Sequence, residues 1–318
     1  MEDRFHSPST PGSPDKPNAN RRLTFITDPN SYAVTALMAT ASSSQVDVLR
    51  DFLYSYIAFK SDIGMFSESC GFSNSSLYFH LPFYSWRETH QEPRDLRLKE
   101  DGRPLRCVQD MSFLKAESQG TSFKKDYLCE AQVSVLIVTI DDTVWTGYCF
   151  VDTYYQPQGE RKCVDDYYED GMQTDPFTQG DANKPILSPT DYFLASLHYQ
   201  LKVFRDEWMN TAYNFKKRVE SYIKGFDYTL AESSVLTNRE TQASLAWLFD
   251  TQDQLNMLIM SLETSIACWD NFTPQDHFPT IPITQPLKAI QQIFIEMRNC
   301  LIVLKNIRTL YDSHEKAV

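Results

Sequence analysis

Three long stretches with apolar residues at helical spacing fill the C-terminal part of the chain, and they constrain the fold more than any other feature. The first begins at Ser188, a helix N-cap, followed by Pro189 at the first helical position and by Asp191, whose charge suits the helix dipole. Gly225 then ends the pattern. The sequence predicts a helix of roughly 36 residues, about 54 Å long.

Two further helices are expected after the first. A capping box of Thr237 and Glu240 predicts the start of the second helix, and the third begins near Thr284. Near-heptad apolar stripes of this kind pack long helices against one another. Residues 188–318 are therefore predicted to form three long helices, packed as an antiparallel bundle or coiled-coil stalk. The stripe of the third helix consists of Leu287, Ile290, Phe294, Met297, Leu301, Leu304 and Tyr311.

The region before these helices carries strand patterns. Residues 131–140 (AQVSVLIVTI) and 143–152 (TVWTGYCFVD) are two β-branched and aromatic runs separated by Asp141 and Asp142, which predicts a hairpin. Both faces of the first run are apolar, so this strand should be central and covered on both sides. The predicted fold class is therefore α+β, with a mixed α/β domain over residues 23–187 and the long-helix domain after it.

Three weaker patterns complete the α/β region. Apolar residues at helical spacing from Val46 to Ile57 predict a helix, and residues 75–86 (SSLYFHLPFYSW) predict a strand that Pro82 interrupts. The charged stretch 87–106 is expected to be an exposed connection. Together they predict helices beside a sheet.

Composition limits what this chain can do. It has a formal net charge of -12 and only 10 glycines, so we expect no nucleic-acid partner and no glycine-rich phosphate loop. Its apolar runs are shorter than the ~18 residues that span a bilayer. The 7 cysteines are scattered without a Cys-x-x-Cys motif, which favours reduced thiols in a cytoplasmic protein. Residues 1–22 are Pro/Ser-rich and are predicted to be a disordered tail.

Residues 163–175 (CVDDYYEDGMQTD) hold five acids and no base, within a long acidic loop over residues 152–187. Hard cations take oxygen ligands, and Mg²⁺ commonly keeps its waters and uses one or two carboxylates. The spacing is not that of an EF-hand, and a purely solvating loop is the alternative. The candidate ligands for Mg²⁺ or another divalent cation are Asp165, Asp166, Glu169 and Asp170.

The motifs of common enzymes are absent from the sequence. It contains no Gly-x-Ser-x-Gly, no His-Glu-x-x-His and no Walker-type loop, and its 6 histidines do not cluster. A metal-dependent hydrolase built on the acidic loop would also need a base and a nucleophile, which do not accompany the acids. The sequence therefore predicts a non-enzymatic protein without catalytic or cofactor-binding residues.

Three stretches carry a resemblance to a known family. Residues 144–155 (VWTGYCFVDTYY), 164–176 (VDDYYEDGMQTDP) and 185–220 resemble the cytosolic part of CorA-like divalent-cation transporters, in particular their divergent branch in filamentous fungi. In that branch a hydrophobic strand, an acidic loop and a Pro-x-x-Tyr-Phe-Leu helix start occur in this order. The resemblance covers residues 125–318. It implies a pentamer with an α/β funnel, and a last helix that continues into the membrane.

The chain departs from that family in one respect. It has no membrane span and no Gly-Met-Asn motif, since Gly171-Met172-Gln173 lies in the acidic loop. The resemblance therefore implies not transport but a cytosolic regulatory domain in a homo-oligomer. In the family such domains bind Mg²⁺ through carboxylates between subunits. Membrane association is expected only if the natural chain continues past Val318, where the third helix has no stop signal.

A second hypothesis does without metal. The chain would then be a free-standing helical interaction or scaffold protein, with a helical protein as its partner. Its docking surface would be an exposed apolar stripe on the third helix that includes Leu301 and Leu304.

Overall fold

A computed structural model describes most of the chain. In the part described, the protein has a six-stranded sheet and five α-helices, so the α+β fold class is confirmed. The described residues are 21–42, 45–67, 75–115, 124–139, 144–157, 171, 173–225, 238–272 and 285–315.

The strands form one sheet in the order β1-β6-β5-β3-β2, and β4 also pairs with β5. β1 is parallel to β6, whereas β5 pairs antiparallel with both β6 and β4, and β2 pairs antiparallel with β3. Strand β1 includes Arg21 and Arg22, the last two residues of the predicted tail, so the disorder predicted for these two residues is wrong. The other residues of the tail lie outside the described part. The strands are β1 (Arg21–Thr27), β2 (Asp62–Ser67), β3 (Ser75–Thr89), β4 (Val108–Asp110), β5 (Lys125–Thr139) and β6 (Trp145–Val151).

The predicted hairpin is confirmed as the β5–β6 pair. Its register runs from Val133 opposite Val151 to Thr139 opposite Trp145. Its predicted turn residues lie outside the described part. Every residue from position 131 to position 139 is buried, as expected for a central strand covered on both faces.

The predicted break at Pro82 is wrong, because β3 runs without interruption through it. The pairing with β2 reaches only to His80, which lies opposite Asp62. Pro82 therefore lies beyond the last β2 partner. A proline, which has no N–H to donate, is tolerated where a neighbouring strand is absent on one side.

The helix predictions hold where the structure describes them. Ser188 caps α3, because its Oγ accepts a hydrogen bond from the Asp191 N–H at 3.2 Å. The second helix begins next to Thr237, which lies outside the described residues, and the third begins at Gln285, one residue after the predicted start. Helix α1 was not predicted. The helices are α1 (Ser31–Thr40), α2 (Val46–Ile57), α3 (Pro189–Gly225), α4 (Asn238–Asn271) and α5 (Gln285–Glu315).

The chain forms two compact units, each with its own core. The sequence predicts a boundary at residue 188, between a region with strands and a region of long helices. Each compact unit contains segments from both of these regions. Among the described helices, none is long and apolar enough to cross a membrane. Unit 1 comprises residues 1–82, 132–203 and 268–291, and unit 2 comprises residues 83–131, 204–267 and 292–318. Fully buried aromatic side chains include Phe79, Phe150, Phe177 and Phe193 in unit 1 and Trp208, Phe215, Phe294 and Tyr311 in unit 2.

Candidate functional site

The predicted metal ligands cannot be placed. Asp165, Asp166, Glu169 and Asp170 lie outside the described residues, so the metal site stays a prediction. Within the described ranges, no group of three or more His, Cys, Asp and Glu side chains is arranged to hold a metal ion. What the structure does describe is how the two ends of the acidic segment are attached to unit 1.

The leading end of the segment is fixed by a buried carboxylate at the end of β6. Asp152 is 1% exposed. The Gln132 N–H donates to its Oδ2 at 2.9 Å, and the Tyr56 hydroxyl donates to its Oδ1. In return, the Asp152 N–H donates to the Gln132 carbonyl at 3.0 Å. The carboxylate therefore joins β6, β5 and helix α2 at the point where the acidic segment begins.

A second carboxylate holds the next two residues. Asp28 follows β1 with a φ of 46°, a left-handed conformation that Asp tolerates better than most residues. Its Oδ1 accepts from the Thr153 N–H at 2.8 Å and the Tyr154 N–H at 3.2 Å, and its Oδ2 accepts from the Thr153 hydroxyl at 2.7 Å. The chain after β6 is thereby tied to the end of its parallel neighbour β1.

The returning end of the segment is fixed by Asp175. This side chain is 8% exposed, and its Oδ1 accepts from the Tyr192 hydroxyl at 3.0 Å and from the Phe177 N–H at 2.8 Å. Burial raises the pKa of the Asp175 carboxyl, and these hydrogen bonds oppose the rise. Asp175 is one of the five acids of residues 163–175 but was not among the candidate ligands. Nothing in the sequence indicated that the tyrosine on the first turn of the following helix would be buried against Asp175.

Phe177 packs against β6 at Gly147, which has no side chain. A Cβ at Gly147 would lie 2.9 Å from Leu23 Cδ2 and 3.2 Å from Phe177 Cε2, so only glycine leaves room for this contact. Phe177 is fully buried and also lies near Phe25, with ring centroids 6.2 Å apart. The returning segment is therefore packed onto the sheet as well as hydrogen-bonded to α3.

A serine–histidine pair lies inside unit 1. His80 Nδ1 is 2.8 Å from Ser134 Oγ, and the Gln132 amide donates to the same oxygen at 3.0 Å. This spacing suits a nucleophile and its base. All three side chains are nevertheless buried, at 1% exposure or less, so a substrate could not reach the hydroxyl in this arrangement. We interpret the three side chains as a structural polar network that is hydrogen-bonded inside the sheet.

Three buried cysteine thiols of the described part are weak nucleophiles. Burial raises the pKa of Cys129 to about 12 and that of Cys300 to about 11, and it places the pKa of Cys149 well above its ordinary value. At neutral pH these groups are therefore protonated thiols, whereas the thiolate is the reactive form. His198 is half-buried, and burial followed by the charge of Lys202 lowers its pKa.

Unit 2 pairs two of its acids with arginines. Glu207 Oε1 lies 2.5 Å from Arg87 Nη2, and Glu207 Oε2 accepts from the Ser85 hydroxyl at 2.7 Å. Asp126, which is fully buried, has its Oδ2 2.8 Å from Arg218 Nε and its Oδ1 3.2 Å from Arg218 Nη2. These pairs join strands β3 and β5 to helix α3 within the unit.

The stretch 87–106, predicted to be an exposed connection, is buried at three of its charged positions. Asp95, Arg97 and Arg106 are 6%, 9% and 0% exposed. Asp95 lies 2.8 Å from Arg97 Nε and accepts from the Arg106 N–H at 3.0 Å. Most of the stretch is exposed, as predicted, and local ion pairing explains why these three charged residues are buried.

The apolar stripe predicted for the third helix faces the core rather than solvent. Leu304 is fully buried and Leu301 is half-buried, so this stripe cannot be a docking surface. Other apolar side chains on α5 are exposed instead, namely Ile295 at 49% and Ile302 at 54%. The heptad rule identified the packed face correctly but could not show which apolar residues remain outside it.

Comparisons with known proteins do not place the chain in a family. No protein-family model matches it, and no curated protein matches it. The resemblance to CorA-like transporters therefore remains a proposal.

Proposed function

We propose that this chain is a non-enzymatic cytosolic domain of the CorA-like type that responds to divalent cations, with Mg²⁺ as the first candidate. The observation that carries the proposal is the attachment of the acidic segment at both of its ends, through Asp152 and Asp175. The ligands would be Asp165, Asp166, Glu169 and Asp170.

Fixed ends matter for the chemistry of such a segment. A loop whose ends are held by a packed unit loses less chain entropy when it closes around an ion. The net charge of -12 raises the local concentration of cations. A divalent ion would also relieve the mutual repulsion of four neighbouring carboxylates. Each of these effects favours an ordered, cation-bound form of the loop.

The helices support the assembly part of the proposal. In unit 2, Lys305 lies 2.6 Å from Glu263, and the Tyr311 hydroxyl donates to the Leu248 carbonyl at 2.9 Å, so residue numbers rise along α5 as they fall along α4. Arg205 on α3 lies 3.1 Å from Glu296 on α5. We propose an antiparallel bundle of the three long helices, assembled into a homo-oligomer.

Thermal unfolding and light scattering with and without Mg²⁺ test this function. If the segment binds the ion, the melting temperature of the protein rises with Mg²⁺ concentration, because binding stabilises the folded state by mass action. A sodium salt of equal ionic strength serves as the baseline. Absence of any Mg²⁺-dependent change in melting temperature or oligomeric state would overturn the cation part.

Matched variants locate the effect. Substitution of the four candidate ligands by their amides should abolish the Mg²⁺ response while leaving the fold intact. The control replaces four exposed acids elsewhere, Glu100, Asp206, Asp250 and Asp253, by their amides and should leave the response unchanged. An equal loss in both variants would indicate a general charge effect rather than a site.

A second candidate function, a helical interaction protein without metal, is favoured by the exposed apolar side chains of unit 2. Ile295 and Ile302 lie seven residues apart on α5, and Phe249 on α4 is 66% exposed. Ile302→Glu should abolish partner or self-association seen by light scattering, whereas Asn299→Glu at an exposed polar position of the same helix should not. Association that persists in the Ile302 variant would remove this candidate.

A further inference from the structure

A small cleft opens in unit 1 beside the first residues of β1 and β6. Its lining includes Arg21, Trp145, Asp175, Lys184 and Tyr192, and its volume is about 40 Å³. One water needs roughly 10–15 Å³ of such space, so the cleft takes about three water-sized groups. The residues named here are all described, and the inference drawn from them does not rest on the proposed cation response.

A polar atom of the cleft has no partner among the described residues. Arg21 Nε is buried and makes no hydrogen bond within this part of the chain. A buried donor without an acceptor is unfavourable, because its lost hydration is not replaced. The adjacent Arg22 is exposed, as expected for the opposite face of the strand. An acceptor that enters the cleft would therefore gain a charge-assisted hydrogen bond from Arg21.

The other polar groups of the cleft already have partners. The Trp145 Nε1–H donates to the Leu187 carbonyl at 3.1 Å, and Asp175 accepts from the Tyr192 hydroxyl at 3.0 Å. Asp181 lies 3.7 Å from Lys184, whose side chain is 85% exposed at the rim. Arg21 is thus the charged group that the fold leaves for a ligand to satisfy.

The walls of the cleft are apolar and aromatic. The rings of Trp145 and Tyr192 lie 4.8 Å apart, and Leu23 and Ile186 complete this part of the lining. A few polar groups among apolar walls are typical of small-molecule sites. A ligand that fits has an anionic end of about three heavy atoms and a short apolar remainder.

We propose that this cleft binds the carboxylate end of a small organic acid, with Arg21 as its principal donor. A carboxylate has three heavy atoms and accepts a hydrogen bond from a guanidinium in the plane of the group. The lining also carries Asp175 and Asp181, which would accept from an ammonium group. Free carboxylic acids and α-amino acids share the same carboxylate chemistry, and the experiment distinguishes them.

Titration followed by NMR tests the proposal on the full chain. Sodium propionate and L-alanine are added separately, against sodium chloride of equal ionic strength. The Trp145 indole N–H resonance, assigned by its loss in Trp145→Phe, should shift in a saturable manner. Tighter binding of alanine than of propionate assigns the site to amino acids, and equal or weaker binding assigns it to simple carboxylates. Absence of a saturable shift with either compound overturns the proposal.

Variants establish the role of Arg21. Arg21→Gln should weaken binding about tenfold or more, since it removes a charge-assisted hydrogen bond. Arg22→Gln, the neighbouring exposed arginine, is the matched control and should bind as the wild type does. If Arg21→Gln does not fold, Arg21→Lys keeps the charge without the Nε donor and should show the same loss. Equal affinity in the Arg21 and Arg22 variants overturns the proposal.

Discussion

The two units bury their carboxylates among different partners. In unit 1, Asp152 and Asp175 accept hydrogen bonds from tyrosine hydroxyls and main-chain N–H groups. In unit 2, Asp95, Asp126 and Glu207 each lie between 2.5 and 2.8 Å from an arginine nitrogen. The first arrangement uses neutral donors and the second uses opposite charges.

This difference has consequences for both stability and function. A hydrogen bond from a neutral donor adds no positive charge, so a carboxylate held in this way still attracts a cation when it is ionised. An ion pair cancels its charge but depends on both members, because the loss of one leaves the other buried and unpaired. Unit 2 should therefore be the more sensitive to single substitutions, and unit 1 to pH and cations.

The largest effect is expected when an arginine of unit 2 is removed. Arg218→Met keeps the apolar part of the side chain but removes the nearer cation from the fully buried Asp126. Among the described residues, the Lys115 ammonium then remains as an ion-pair partner at 3.5 Å. The free energy of unfolding, measured by urea denaturation, should fall by about 3–5 kcal/mol. Lys216→Met, at a half-exposed position of the same helix, is the control and should change stability by less than about 0.5 kcal/mol.

The double variant Asp126→Leu/Arg218→Met sharpens this prediction. Replacing both members by apolar residues removes the unpaired charge, so much of the lost stability should return. If the double variant is as unstable as Arg218→Met, the loss comes from packing rather than from an isolated charge. The contrast between the units would then have no electrostatic basis.

A smaller effect is expected from the corresponding change in unit 1. Tyr56→Phe removes the hydroxyl that donates to Asp152 but leaves the Gln132 N–H in place. A hydrogen bond to a charged group contributes about 1.5–3 kcal/mol, and the free energy of unfolding should fall by that amount. Tyr54→Phe, two residues earlier and 71% exposed, is the matched control. Equal stability of the two variants would contradict a structural role for the Asp152 anchor.

A feature could be predicted from the sequence when the residues that interact lie close together along the chain. The Ser188 cap joins residues three positions apart, and the β5–β6 hairpin is local, so both were predictable. The pairing of Arg87 with Glu207 joins residues 120 positions apart. Charged residues in a polar stretch suggest exposure, so neither this pair nor the burial of Asp95, Arg97 and Arg106 through their local contacts was predicted.

The candidate site shows the same limit. The acidic composition of residues 163–175 is a local property, and the sequence alone identified this segment as a candidate. The anchor at Asp175 depends on Tyr192, 17 residues further along, and on the packing of Phe177 against Gly147. Similarly, the cleft at Arg21 combines a strand predicted in part as tail with a loop far along the chain. Tertiary structure alone brings such residues together.

The smallest effect, and the one most specific to the comparison, is the pH dependence of Asp175. Burial raises its pKa in the folded protein above the unfolded value of about 4. The folded state therefore holds a proton that the unfolded state has already released. The stability from this group is fully present below the unfolded pKa and is lost as the pH rises through the folded pKa.

Asp175→Asn removes this titration, so between pH 4 and pH 7 the stability of the wild type should fall relative to that of the variant. The change should be smaller than that of Tyr56→Phe, because the hydrogen bonds from Tyr192 and Phe177 stabilise the ionised form. The pH dependence of stability from Asp101 in unit 2 should have the opposite sign, because hydrogen bonds from Arg103 lower the pKa of this carboxyl. The contribution of Asp101 is lost only as the pH falls below the unfolded value of about 4, so urea denaturation from pH 7 to below pH 4 is needed to measure both. Parallel curves for the wild type and Asp175→Asn would mean that neutral donors compensate the buried charge as fully as arginine does, and the distinction between the two units would disappear.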